Sequence, residues 1–127
     1  MREEENHLKF DKEHIEDYGD EKRWYKGNRL HRIEGPAVER IDGSKSWYQD
    51  GERHRVGGPA IEWKDGTKEW FLNGDRHRLD GPAIQYFNGK KSWYIRGIFF
   101  KTKEAFFNHL TDEEKKIALF SEDFHNA

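Results

Sequence analysis

The stretch Trp70-Phe71-Leu72-Asn73-Gly74-Asp75-Arg76-His77-Arg78, continued by Gly81-Pro82-Ala83 and Asn88-Gly89, joins an aromatic pair, a turn dipeptide, a His-Arg pair, a proline corner and a second turn dipeptide. Its elements recur along the chain at one spacing. Trp24, Trp47, Trp70 and Trp93 stand 23 residues apart, and the same step relates His31-Arg32, His54-Arg55 and His77-Arg78. Gly35-Pro36-Ala37, Gly58-Pro59-Ala60 and Gly81-Pro82-Ala83 keep it too, as do Asp42-Gly43, Asp65-Gly66 and Asn88-Gly89. A fixed period of this length marks a repeat architecture. Full repeats run 24–46, 47–69 and 70–92, and residues 93–98 begin a fourth.

Each repeat carries two hairpin signals. Asp42-Gly43, Asp65-Gly66 and Asn88-Gly89 read as two-residue type I′ turns, as do Asp50-Gly51 and Asn73-Gly74 at the second site, where Gly27-Asn28 suits type II′. Proline cannot donate to a ladder, so Gly-Pro divides one strand from the next. The expected fold is mainly β, an antiparallel β-hairpin repeat array. Counting outward from two-residue turns sets Val38 opposite Trp47, Lys45, Lys68 and Lys91 opposite Arg40, Trp63 and Tyr86, Tyr48 opposite Arg53, and Trp47 opposite His54. One face then stacks Trp, Val or Ile, and His, which puts Trp47 and Trp70 in the core. The other carries Tyr25, Tyr48, Phe71 and Tyr94 with Arg32, Arg55 and Arg78, and Arg53 and Arg76 add charge in two repeats.

The array is expected over 14–98. Ile15 aligns with Val38, and Gly19-Asp20 with Asp42-Gly43, which makes 14–25 an opening hairpin; the acidic segment 1–13 before it is expected to be flexible. After Gly97 the pattern turns helical over 99–127. Thr102 caps one short helix, and Thr111-Asp112-Glu113-Glu114 is a capping box before Ile117, Ala118 and Leu119. These helices read as a C-terminal cap over the last strand edge.

Composition agrees. Of 127 residues 38% are charged and only 33% hydrophobic, yet 15% are aromatic, as in a narrow array whose few inward positions are filled by rings. The net charge of −2 excludes a globally basic nucleic-acid coat. The absence of Cys excludes disulfides, thiolate nucleophiles and Cys-ligated zinc. No run approaches the about 20 apolar residues of a membrane helix, and Met1-Arg2-Glu3-Glu4-Glu5 is no signal peptide. A cytoplasmic protein is expected.

The 23-residue unit resembles the MORN repeat, a β-hairpin module, most closely a variant with the pattern His-Arg-x-x-Gly-Pro-Ala associated with bacterial, bacteriophage and large-virus proteins. It departs from the usual unit in having Arg after the His and a longer corner. The resemblance covers about 14–98 and implies a curved single-layer or solenoidal hairpin array used for binding. It also implies relatives regarded as antitoxins, and eukaryotic scaffolds credited with phospholipid affinity.

His31, His54 and His77 occur once per repeat without a carboxylate at ligand spacing, so they read as packed imidazoles rather than a metal or catalytic set. Neither a metal nor a cofactor is expected, and no nucleophile, base and orienting acid stand together, so no enzyme is expected. The candidate binding residues are Arg32, Arg55, Arg78, Arg53 and Arg76 with Tyr25, Tyr48 and Phe71, since an aromatic and guanidinium stripe suits acidic protein surfaces, phosphates or stacked bases. Salt bridging among surface charges is the competing account of the same residues. The leading expectation is a non-enzymatic protein-binding module, with an inhibitor or antitoxin-like role as its specific form. The alternative is a binder of nucleic acid, nucleotide or phospholipid. An open sheet this short leaves its Trp face uncovered unless a partner or a second copy, as in a homodimer, covers it.

Overall fold

The computed structural model describes residues 12–127, so the acidic N-terminal segment, but for its last two residues, lies outside the described residues. The chain is mainly antiparallel β with three short helices at its C-terminal end. β1 (Glu13–Asp17) and β2 (Glu21–Lys26) form the opening hairpin, with Ile15 opposite Trp24. β3 (Arg29–Leu30) turns back on β2, and β4 (Val38–Arg40) pairs with β2 along the same edge, opposite β1. From here a regular scheme takes over. β5 (Lys45–Ser46), β8 (Ile61–Glu62), β9 (Lys68–Glu69), β12 (Ile84–Gln85) and β13 (Lys91–Ile95) extend the main sheet in sequence order, closed by β14 (Ile98–Phe100).

Between these strands lie two small hairpins, β6 (Tyr48–Gln49) with β7 (Glu52–Arg53) and β10 (Phe71–Leu72) with β11 (Asp75–Arg76). Each is the continuation of a main-sheet strand past its Trp: β5 becomes β6 after Trp47, and β9 becomes β10 after Trp70. The small hairpins are joined along the array by Arg32 N–H to Tyr48 O at 3.1 Å and Gly51 N–H to Leu30 O at 2.8 Å, repeated by Arg55 to Phe71, Gly74 to Arg53, Arg78 to Tyr94 and Gly97 to Arg76. The molecule therefore carries two ladders that share the Trp positions as their bend.

The two turn sites differ in geometry. At Asp50-Gly51 and Asn73-Gly74 both residues have positive φ, 48° and 85° in each case, as a type I′ turn requires. At Asp42-Gly43 only Gly43 does, at 97°. There Gly43 N–H reaches Arg40 O at 3.0 Å and Arg40 N–H reaches Ser44 O at 2.9 Å, a three-residue loop ending in a left-handed glycine. Asp42 stabilises it by accepting from Ser44 N–H at 2.8 Å.

That extra loop residue corrects the register expected from counting. Val38 faces Ser46 rather than Trp47, and Lys45 faces Glu39 rather than Arg40. Lys68 faces Glu62 instead of Trp63, and Lys91 faces Gln85 instead of Tyr86. Lys45 also faces Glu62 on its other side, and Lys22 faces Glu39, so the slip sets Lys22, Lys45 and Lys68 in alternation with Glu39 and Glu62 across the sheet, while Lys91 faces Gln85.

The core is divided. Ala37, Ala60 and Ala83 at the proline corners are fully buried, flanked by Val38, Ile61 and Ile84. Ala60 N–H donates to Glu69 O and its carbonyl accepts from Trp47 N–H, both at 2.7 Å, so the corner is bonded on both sides. A small cluster forms around Ala60, Ile61 and Phe71, with Trp47 packed against it. The larger cluster lies under the helices α1 (Lys103–His109), α2 (Asp112–Leu119) and α3 (Glu122–Asn126), where Trp93, Ile95, Phe106, Leu110, Ala118 and Phe124 meet. Thr102 and Thr111 cap α1 and α2 as the sequence predicts, and Thr111 with Glu114 completes the capping box. Trp47 and Trp70 are only half-buried, unlike Trp93 at 6% exposure. Trp93→Ala is accordingly expected to cost about 3–5 kcal/mol in chemical denaturation. Trp47→Ala is expected to cost clearly less, within the about 0.5–3 kcal/mol of ordinary substitutions.

Candidate functional site

The candidate arginines separate into two series with different surroundings. Arg32, Arg55 and Arg78 do not stand beside the tyrosines. Each lies flat on the indole of its own repeat, with Cζ 4.0 Å from the Trp24 ring centre, 3.8 Å from Trp47 and 3.9 Å from Trp70. The cause is the early end of the small hairpin: β7 stops at Arg53, and the backbone leaves strand geometry before Arg55, so strict alternation no longer sets its direction.

Each of these arginines also bonds its proline corner. Nη1 donates to Pro36 O at 3.1 Å, Pro59 O at 3.0 Å and Pro82 O at 3.2 Å. The same nitrogen reaches Glu39 at 3.3 Å and Glu62 at 3.2 Å in the first two repeats. In the third, Gln85 stands at the equivalent position and the carboxylates come from Asp80, 2.9 Å from Nε, and from Asp123 of α3, 2.6 Å from Nη2. The glycine of each corner makes the close approach feasible: a Cβ at Gly35 or Gly58 would meet the guanidinium carbon at 3.0 Å, and at Gly81 at 2.7 Å.

Arg53 and Arg76 form the second series, and it is these that interleave the aromatic ladder. Arg53 lies 5.6 Å from both the Tyr48 and Phe71 ring centres, and Arg76 lies 5.3 Å from Phe71 and 5.7 Å from Tyr94. Their cross-strand partners are Tyr48 and Phe71, as counting from the type I′ turns predicts. Arg76 is held by Glu69 at 3.1 Å, which also accepts from Trp63 Nε1 at 2.7 Å. Phe71, placed by the sequence on an outer face, is buried among Ala60 and Ile61. Tyr25 begins the ladder, stacked on His14.

The repeated histidines have one shared task. His31 Nδ1 accepts from Asp50 N–H at 2.9 Å, His54 from Asn73 N–H at 3.0 Å and His77 from Arg96 N–H at 2.9 Å. Each ring ties its repeat to the type I′ turn of the next, through the unprotonated nitrogen. This inter-repeat bond was not legible in the sequence, because donor and acceptor are 19 residues apart and the donor is backbone. For His77, partial burial and then the Arg96 charge hold the pKa below the ordinary 6.5, against the opposing pull of Glu114 and Asp75.

Between the first two corners lies an open cleft of about 540 Å³, lined by Arg32, Ile33, Trp47, Gln49, Arg55 and their neighbours. Ile33 and Val56 on its rim are 68% and 81% exposed. Among the described residues no group of three or more His, Asp or Glu side chains is placed to hold a metal ion, and no helix is long and apolar enough to cross a membrane. Compared with known proteins, the chain matches no family model, no curated protein and no solved structure.

Two predictions follow from these contacts. Both arginines stack on an indole and bond a proline carbonyl, so Arg32→Ala is expected to cost about 1–2 kcal/mol, and Arg78→Ala, buried and holding two half-exposed carboxylates, about 3 kcal/mol in the same denaturation assay. For His77 the native state resists protonation, so the unfolded chain takes up the proton first as pH falls. The contribution is complete above 6.5 and is lost as pH falls through the lowered native value. His77→Asn, which keeps an acceptor without a titratable ring, is expected to flatten the fall in melting temperature across that interval.

Proposed function

We propose that the chain is a MORN-like, non-enzymatic protein-binding module, and that its binding surface is the corner face around Trp47. The observation that carries this reading is the surface's composition. Ile33 and Val56 project into solvent beside a half-buried indole, and Arg32 and Arg55 flank it. Tryptophan, arginine and accessible aliphatic carbon in one concavity are what protein interfaces concentrate at their energetic centres. The arginine stack also pre-organises this surface, so little side-chain entropy remains to be lost on binding.

The anionic-ligand alternative rests on the same guanidinium groups, and local acids already occupy them: Glu39 on Arg32, Glu62 on Arg55, and Asp80 and Asp123 on Arg78. This favours a protein partner over nucleic acid or phospholipid. An inhibitor or antitoxin-like action, exerted in the cytoplasm by covering a partner's working surface, is the specific form we propose.

Affinity capture from the native host with the wild type and with an Ile33→Glu, Val56→Glu double variant tests the assignment. Both residues are exposed, so folding is expected to be unchanged. A partner retained by the wild type and lost by the variant is the expected result, and equal capture by both would move the surface elsewhere. Binding of single-stranded nucleic acid or acidic vesicles that falls steeply with salt would instead support the anionic reading.

A further inference from the structure

The repeat allows one part of this molecule to be compared with another. Adding 46 to the numbers of the open cleft's Arg32, Ile33, Trp47 and Gln49 gives Arg78, Leu79, Trp93 and Ile95. That second position is filled. The short helix α3 delivers Asp123 to Arg78 Nη2 at 2.6 Å and sets Phe124 edge-on against Trp93, with ring centres 6.1 Å apart. Leu79 packs against the same cluster.

The open cleft keeps the essential features of the filled one. Arg32 is stacked on Trp24 as Arg78 is on Trp70, and both donate to the corner proline carbonyl. Arg78 uses Nε and Nη2 for Asp80 and Asp123, while among the described residues the bonds of Arg32 all leave from Nη1. Nε and Nη2 of Arg32, which lines the cleft, therefore have no hydrogen-bond partner among the described residues. Glu34, the counterpart of Asp80, lines it as well, and Asp80 shows that an acid there is compatible with a carboxylate arriving from outside. Glu39 and Glu62 pair with the two arginines and Glu34 lines the cleft, so a carboxylate would be taken by the remaining nitrogens of Arg32 and not by a net positive charge. A volume of about 540 Å³ lies within the about 300–1,000 Å³ usual for ligand clefts.

We infer that the open cleft at Arg32 and Trp47 binds an acidic-aromatic turn of a partner protein, a carboxylate residue followed by phenylalanine, in the way the third repeat holds Asp123 and Phe124. This rests on the protein-binding reading above and names the chemistry of the partner. The carboxylate meets Arg32 Nη2, and the ring lies against Trp47 and the Ile33 side chain. Position 49 is Gln where the filled site has Ile95, position 54 is His where it has Phe100, and the open cleft lacks the wall that Phe106 and Phe107 give Phe124. Its occupant is thus held less tightly than α3. A partner chain suits the cleft better than α3 of a second copy, because that helix has its phenylalanine 94% covered and its aspartate committed to Arg78.

A fluorescent peptide with the sequence of residues 121–127, titrated against the full chain, is the test. Saturable binding is expected, weakened at least tenfold by Ile33→Glu or Arg32→Gln in the protein, and by Asp123→Asn or Phe124→Ala in the peptide. Thermal melting of the two protein variants checks that they remain folded. No saturation by about 1 mM would overturn the inference. So would binding indifferent to both protein variants, since the peptide would then be entering another site. A concentration-dependent dimer in sedimentation that Ile33→Glu dissociates would give the cleft to a second copy and likewise overturn it. If the peptide fails while Ile33→Glu still abolishes capture of a host partner, the binding-module reading stands and this choice of ligand alone falls; if both fail, both fall.

Discussion

The arginine laid between an indole and a glycine is the contact on which this fold depends. In every full repeat the guanidinium is about a van der Waals distance from the Trp ring and is pressed against the corner backbone, at a place where even one methyl group would collide with it. Five features of the repeat follow from that arrangement. Tryptophan supplies the broad face, arginine the planar cation, glycine the clearance, proline the turned carbonyl that accepts from Nη1, and alanine a small, fully buried side chain at the corner. Lysine would not serve equally, since its compact ammonium lacks the planar face that covers the indole. A chain poor in aliphatic residues obtains much of its internal order from this contact, and that is why it spends rings and charges where larger proteins use leucine.

Propagation along the array uses separate ties. The imidazoles accept from the next repeat's type I′ turn, and Ser44 and Thr67 hydroxyls accept from Lys64 and Phe87 N–H at 3.0 and 3.1 Å. The Lys/Glu alternation runs across the main sheet at its surface. Each tie spans neighbouring repeats only, as expected of a quasi-one-dimensional structure. Individually they are modest, and opposite charges facing across strands at a surface contribute little. Their effect is on register: a hairpin that slipped by one residue would lose the histidine bond, the hydroxyl bond and the charge alternation together.

The periodicity, the small type I′ hairpins, the capping residues and the C-terminal helices were legible because each depends on local chemistry. The type I′ hairpins came out in the right register for that reason. Asp42-Gly43 misled because Asp-Gly serves two loop lengths, and the choice between them rests on whether Asp takes positive φ. Here the aspartate instead bonds Ser44 N–H and leaves the left-handed conformation to glycine. The candidate residues were assigned to partly wrong faces: Arg32, Arg55 and Arg78 lie on indoles and Phe71 is buried. Alternation holds only while a strand continues, and these strands last two residues before the chain bends at a tryptophan or leaves the hairpin after Arg53. No pattern within one repeat shows that the guanidinium two residues later lies on indole rather than tyrosine.

The third repeat shows how the same scaffold changes from exposed corner to core. Gln85 replaces the glutamate that engages the arginine elsewhere, Leu79 replaces Ile33 and Val56, and Ile95 replaces Gln49. These substitutions go together because α3 brings its own carboxylate and its own ring. Burying Arg78 is tolerable only because Asp80, Asp123 and the Pro82 carbonyl satisfy it, whereas Arg32 and Arg55 stay in reach of water and need only one surface acid each. The helical lid therefore does more than cover an edge strand: it removes one of the repeated corners from solvent. The corners that keep glutamate and a solvent-exposed aliphatic side chain are the ones the helices leave open to solvent, and the sequence differences between repeats follow that difference in burial.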